Sequence, residues 1–306
     1  MTRKTIDAIQ TSSVIVLVIA AVLAFWVYPL NQAGKIVERP EETAELIEPS
    51  QNGFVSEPFK ILTEDNLSIA GFYLDAVTDS ASSPAGTFIL LHGLFVGMES
   101  QLEKASDITS LGYNVIIFDQ RGFGQSDGDY RSGGTFEGND LQSLLSRFEL
   151  EDKLIQPVVV WGEAHGGTAG IRTAAEDARI DYVIAEEPVV DGRDWQKRVV
   201  SYNDMSTPDI MLSMVWWWMK QTSNYEIELD ETEIDDQVGM LSESKPDQFF
   251  IIASGTGDTP DNSYLAELNN LGGNWVLFPS GEKDLYMENR DSILAFIKNK
   301  IMGNTE

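Results

Sequence analysis

The sequence predicts an α/β protein: a mostly parallel, doubly wound sheet with an inserted helical lid, preceded by one N-terminal transmembrane helix. Three observations predict it. Short continuous apolar runs alternate with helix-length amphipathic segments from residue 87 onward, as in a sheet covered by helices on both faces. A strand, a tight turn and a small-residue helix follow one another in PVVVWGEAHGGTAG, Pro157 to Gly170. Before all of this, Ala8 to Gly34 carries no charge, and Val14 to Leu30 is almost wholly apolar.

That first stretch is at the short end for a spanning helix, and its uncharged flanks extend it. Trp26 and Tyr28 near its far end suit an interfacial anchor. A cleaved signal peptide is the rival reading. Its apolar region is normally shorter, and Asn31-Gln32-Ala33 offers no good small-x-small cleavage site. Arg3 and Lys4 place the N-terminus in the cytoplasm and the body outside, while Lys35 and Arg39 pull the other way. Residues 1–34 are thus read as the membrane anchor and 35–55, polar with Pro40 and Pro49, as a linker.

The core is expected in two parts, 56–188 and 247–303. A hairpin turns at Glu64-Asp65-Asn66, and strands follow at Thr87–Leu91 and Asn114–Phe118 around a helix from Glu99 to Leu111. Thr135 can cap a helix running to Glu149. The strand Pro157–Trp161 enters the tight turn, and Tyr182–Ala185 is another buried strand. Residues 189–246, with Trp195, the run Trp216-Trp217-Trp218 and an acidic segment, break the alternation and are read as the lid. Three consecutive tryptophans cannot share one helix face, so at least one should be exposed. The pattern resumes with strand Gln248–Ala253, helix Asn262–Leu271, strand Asn274–Phe278 and helix Arg290–Ile301.

The 306 residues carry 49 acidic against 21 basic side chains, a net charge of −28. Such a field repels phosphate and excludes nucleic acid as a partner. The expected reading is a solvated acidic surface such as salt-adapted proteins carry, and the alternative is a dedicated site for a cation or basic partner. With no cysteine there is neither a disulfide framework nor a thiolate metal site. No cofactor and no metal is expected, because the spacing of His92, His165, Asp258 and Glu282 does not resemble a ligand set.

The turn at 162–166 has the form G-x-S-x-G, the nucleophile elbow, with Gly162 and Gly166 as its glycines and Ala164 where the serine belongs. A methyl group cannot attack a carbonyl. From Glu57 to Met302 the chain resembles the α/β-hydrolase superfamily, especially membrane-associated members similar to lysophospholipases and serine aminopeptidases. LLHG (90–93), FDQRGFGQSDG (118–128), WGEAHGG (161–167), SGTGDTP (254–260) and GEKDLYMEN (281–289) carry the resemblance in this order. The resemblance implies a triad of serine, acid and histidine. Ala164 takes the nucleophile position, Asp258 the acid position, and Glu282 stands where the histidine would be. It also implies oxyanion-hole amides at Leu94 and His165.

The loss of the base does not depend on alignment. The chain has two histidines, and none follows residue 165. The resulting expectation is a membrane-anchored pseudohydrolase that binds a small apolar or acyl ligand or a protein partner. The alternative is an active hydrolase of ester, acyl or peptide substrates, with an unconventional set such as Glu282 activating water.

Overall fold

The computed structural model describes residues 3–39, 48–79, 82–202, 209–222, 233–256, 259–260, 274–279 and 285–303. It divides into two compact units, one formed by Met1–Glu38 with Gln196–Glu228, the other by Arg39–Trp195 with Leu229–Glu306.

Among the described residues the larger unit holds a nine-stranded sheet. Strands β1 (Ser56–Leu62) and β2 (Ser68–Leu74) form the expected hairpin, and β2 pairs antiparallel with β4 (Asn114–Phe118). From there the sheet is parallel: β4 beside β3 (Thr87–Leu91), then β5 (Val158–Glu163), β6 (Tyr182–Glu186), β7 (Phe249–Thr256) and β9 (Asn274–Phe278). The two-residue β8 (Thr259–Pro260) folds back antiparallel on the end of β7. The β2-β4-β3-β5 order puts β3 and β5 side by side at the centre.

Period-two alternation decides what each face buries. Ile89, Leu91, Ile116 and Val160 meet Leu141, Leu145 and Phe148 of α4 (Thr135–Leu150) and Ala169 and Ile171 of α5 (His165–Glu176). Phe88, Leu90, Ile117 and Trp161 meet Ala105 and Ile108 of α3 (Leu102–Ser110) and Tyr286, Ile293 and Ile297 of α9 (Leu285–Ile297). Every residue of β3, β4 and β6 is buried, which is why these strands read as unbroken apolar runs.

Several boundaries move for identifiable reasons. Strand β5 runs on through Gly162 and Glu163, which pair with Ala185 and Glu186. A 3₁₀ turn, Met98–Gln101, precedes α3. Thr135 is not the cap of α4 but its first helical residue. Ser132 and Glu137 serve that end instead: Phe136 N–H donates to Ser132 Oγ at 2.7 Å, and Ser132 and Gly134 N–H both donate to the Glu137 carboxylate at 2.9 Å. The last helix begins at Leu285 and closes with a π-turn, Lys298–Met302. The expected helix 262–271, Asp258, Glu282 and most of the acidic segment lie outside the described residues.

The smaller unit begins with α1 (Arg3–Val22), which passes through a π-turn (Leu23–Val27) into α2 (Tyr28–Val37). The N-terminal helix therefore runs into the expected linker, to Val37. Gln10–Val37 is long and apolar enough to cross a membrane. The same unit contains α7 (Asp209–Thr222), which packs along α2.

The insertion does not behave as one block. Only 196–228 groups with the N-terminal helix, and its flanks belong to the larger unit. There Trp195 lies so close to Gly133 that a Cβ on that glycine would meet its ring at 3.0 Å. Ile234 N–H donates to Val190 O, and α8 (Asp235–Ser244) packs against α5. Helix α6 (Gly192–Tyr202) crosses the boundary between the two groupings.

Candidate active site

Strand β5 and helix α5 meet at Ala164, whose φ of 46° and ψ of −116° lie outside the regions a residue with a Cβ normally occupies. The surrounding contacts enforce this strain. Ala164 N–H donates to Glu186 O at 2.9 Å, and its carbonyl accepts from Thr168 N–H at 3.0 Å. The flanking glycines allow the close approach: a Cβ on Gly162 would collide with the backbone of Gly166, and one on Gly166 would meet His92 O and Leu91 Cβ at 2.7 Å. The apex of the turn is thus held as rigidly as a nucleophile would need, and it carries a methyl group.

Gly166, in the first turn of α5, packs against Leu91 and His92 at the end of β3. His165 is the first residue of that helix, so its N–H is one of the four that a helix cannot satisfy internally. Leu94, the other expected oxyanion amide, follows two residues after His92 in the turn beyond β3.

Both histidine rings are buried and committed to other surroundings. His92 Nε2 accepts from Gln120 N–H at 3.0 Å, which leaves the proton on Nδ1 to donate to Gly93 O at 2.9 Å. Burial lowers its pKa, partly offset by the Gly93 bond. The His165 ring stacks on Phe123 at 5.4 Å and stands edge-on to His92 at 5.7 Å. Neither of its nitrogens has a hydrogen-bond partner among the described residues. Burial first, then the neighbouring His92 and Arg131, push its pKa well below the ordinary value. Such a ring stays neutral through the physiological range.

A prediction follows from this burial. The unfolded chain takes up a proton on His165 near pH 6.5, and the folded chain does so only at much lower pH. Its contribution to stability is therefore lost as pH falls below about 6.5. His165→Phe keeps the stacking and removes two unsatisfied nitrogens, so it should match or exceed wild type by about 1 kcal/mol at pH 7.5. That advantage should widen by about 1 kcal/mol at pH 5.5. Denaturant unfolding of both chains at the two pH values checks it.

Beneath the turn lies a charged cluster that the sequence reading missed. Lys104 Nζ, on α3, contacts the Glu163 carboxylate and lies 2.7 Å from Glu186 Oε2, and Gln101 Nε2 donates to Glu163 Oε1 at 3.0 Å. Trp161 Nε1 donates to Glu186 Oε2 at 3.1 Å, and the ammonium sits 4.7 Å from the Trp161 ring. Burial disfavours the Lys104 charge, but Glu163 and Glu186 outweigh it and raise its pKa above the usual lysine value. Burial likewise works against the Glu163 carboxylate, and Lys104 and Gln101 override it, so its pKa falls. The one sequence signal was Lys104 itself, a lysine one turn before Ile108 on the face of α3 that must meet the sheet.

The glycine-rich loop after β4 is built by its polar residues. Asp119 accepts from Met98 and Gln125 N–H, Ser126 Oγ accepts from Ala70 N–H, and Arg121 bridges Asp140 and Asp65. These bonds place Gln120 and Phe123 against His92. The expected acid position, Asp258, and the expected histidine position, Glu282, lie outside the described residues, and the structure gives no geometry for either.

Comparison with known proteins agrees with this architecture. The esterase Pf2001 of Pyrococcus furiosus superposes with a TM-score of 0.65 at 20% identity, over 87% of this chain and 98% of its own. The α/β hydrolase GrgF of Penicillium sp. sh18 gives 0.60 at 18% identity, over 81% and 99%. In sequence, the quorum-quenching protein AidA of Acinetobacter baumannii is 30% identical over 148 residues, 47% of this chain and 48% of AidA. An uncharacterised 31.7 kDa protein from the traX-finO intergenic region of Escherichia coli is 32% identical over 108 residues, 34% of this chain and 37% of its own length. The chain thus spans half or less of the length of these curated relatives. The family model described as serine aminopeptidase, S33 matches residues 82–239, which include β3, the glycine-rich loop, the elbow and most of the insertion. On that match, and with the parallel sheet and strained elbow in place, the chain belongs to the serine aminopeptidase S33 family of α/β-hydrolase-fold proteins.

Proposed function

We propose that this chain is a membrane-anchored pseudohydrolase, which uses a hydrolase frame to bind a small apolar or acyl ligand without turning it over. One observation carries the reading: Ala164 occupies the strained apex where the fold presents its nucleophile. The absence of any histidine after residue 165 supports it, since no histidine base can follow the acid position. An anchor of 28 apolar-rich helical residues, Gln10–Val37, supports attachment to a membrane. The oxyanion-type amides remain useful to a binder, because a ligand carbonyl or carboxylate accepts the same hydrogen bonds that a transition state would.

An active hydrolase is the second reading, favoured by the esterase and quorum-quenching descriptions carried by its relatives. In that reading Glu282 would activate a water while the amides hold the oxyanion.

Binding is tested by thermal unfolding of the full chain with medium-chain carboxylates and their alkyl esters. A ligand at a hundred times its Kd adds about 2.7 kcal/mol of stability. At least one acyl compound should raise the unfolding temperature, and Ala164→Leu, which fills the space beside the amides, should abolish the rise. A flat response to the whole series would contradict a ligand-binding role.

A further inference from the structure

The lid helix α7 is more than a cover in sequence. Its residues Ile210 to Met219 carry no charge, and Asp209 and Lys220 stand at its two ends. Val215 and Met219, one turn apart, are buried, and α7 as a whole packs along α2. The opposite stripe is Ser213, Trp217 and Gln221, all exposed, and Trp217 is 49% open. Trp216 and Trp218 lie half-buried on either side, so the run splits as a helix requires.

The anchor helix supplies the second observation. From Gln10 to Val27 its side chains are almost all exposed, and from Val14 on they are apolar; from Pro29 onward they become largely buried. The 18 residues from Gln10 to Val27 rise about 27 Å, close to the hydrocarbon thickness of a bilayer, with the uncharged polar residues Gln10, Thr11, Ser12 and Ser13 forming the first turn. The apolar surface therefore ends at Trp26 and Val27. At that level the Trp26 ring stands edge-on to Trp217 at 6.5 Å and to Trp218 at 6.1 Å. Tryptophan concentrates where hydrocarbon gives way to headgroups, and here three meet at one depth. At 14 residues α7 rises about 21 Å, too little to span. Lys220 sits 5.9 Å from the Trp216 ring, the arrangement of a cation at the rim of an apolar face.

We infer that α7 is an interfacial membrane helix, seated with Trp217 in the headgroup–acyl boundary of the leaflet where the anchor leaves the bilayer. This rests on the reading of the N-terminal helix as a span. Attachment then has two elements, a spanning helix and a helix lying in the interface beside it. A net charge of −28 opposes anionic lipid, so the seating is driven by apolar burial and is insensitive to salt.

The absence of cysteine allows a direct test. Single cysteines are placed in the full chain at Trp217, Ser213, Val18 and Leu150, the last of these 85% exposed in the larger unit. Each is labelled with an environment-sensitive fluorophore and reconstituted in phosphatidylcholine vesicles with or without lipid bearing a nitroxide near its headgroup. The labels at 217 and 18 should each lose at least half of their fluorescence to the nitroxide, and the label at 150 almost none. Ser213→Cys leaves the tryptophans intact and should follow 217. Quenching at 18 with 217 and 213 indistinguishable from 150 overturns the inference and leaves the anchor standing. Absence of quenching at 18 overturns the span, and the inference with it. A dry label at 217 without lipid quenching means that a second copy or another protein covers the helix, and also overturns it.

Discussion

Ala164→Ser combined with Glu282→His is expected to gain covalent labelling by a serine-directed fluorophosphonate that the wild-type chain lacks. The reasoning starts from what is already built. The φ of 46° at residue 164, its hydrogen bond to Glu186 O and the two flanking glycines hold the apex in the strained form that exposes a nucleophile. A serine there inherits this geometry without further change. Alone it lacks a base, so Ala164→Ser should label weakly or not at all. Adding the histidine supplies the proton acceptor, and restoring such a set is worth a factor of 10³ or more. If the single and double variants both stay unlabelled while remaining folded, the frame around residue 164 is not the latent site described above.

Lys104→Met is expected to cost about 3–5 kcal/mol. The substitution leaves Glu163 and Glu186 facing each other with no cation, and Glu186 is buried. The hydrogen bonds from Gln101 and Trp161 would remain, but the charge that offsets the burial of these carboxylates would be gone. The loss should also reach the elbow, because Glu163 precedes Ala164 and Glu186 O accepts its amide. Urea unfolding measures the cost. The triple variant Lys104→Met, Glu163→Gln, Glu186→Gln should recover most of it by removing the charges together. A Lys104→Met chain within 1 kcal/mol of wild type would mean that the cluster carries little.

The legible parts of this chain are those where one residue type has one physical meaning. Unbroken apolar runs such as Thr87–Leu91 and Asn114–Phe118 could only be strands covered on both faces, and they are. Gly162 and Gly166 marked the elbow because no side chain fits there. The cap of α4 was misread because Thr135 looked like a capping residue, while the bonds are made by Ser132, three residues earlier, and by Glu137 in the first turn of the helix. The Lys104 cluster was invisible for another reason: its partners lie 59 and 82 residues away, and no local pattern encodes such a distance. The division of the insertion was equally hidden, since the pairing of α7 with α2 joins segments far apart in sequence.

The central claim is that this frame binds without reacting, and turnover of chromogenic acyl esters by the wild-type chain tests it most directly. Hydrolysis at the rate of buffer alone, with the Ala164→Ser, Glu282→His variant clearly faster, is the predicted result. Wild-type hydrolysis well above buffer that disappears in Glu282→Gln would contradict it and make this chain a working enzyme with a carboxylate base.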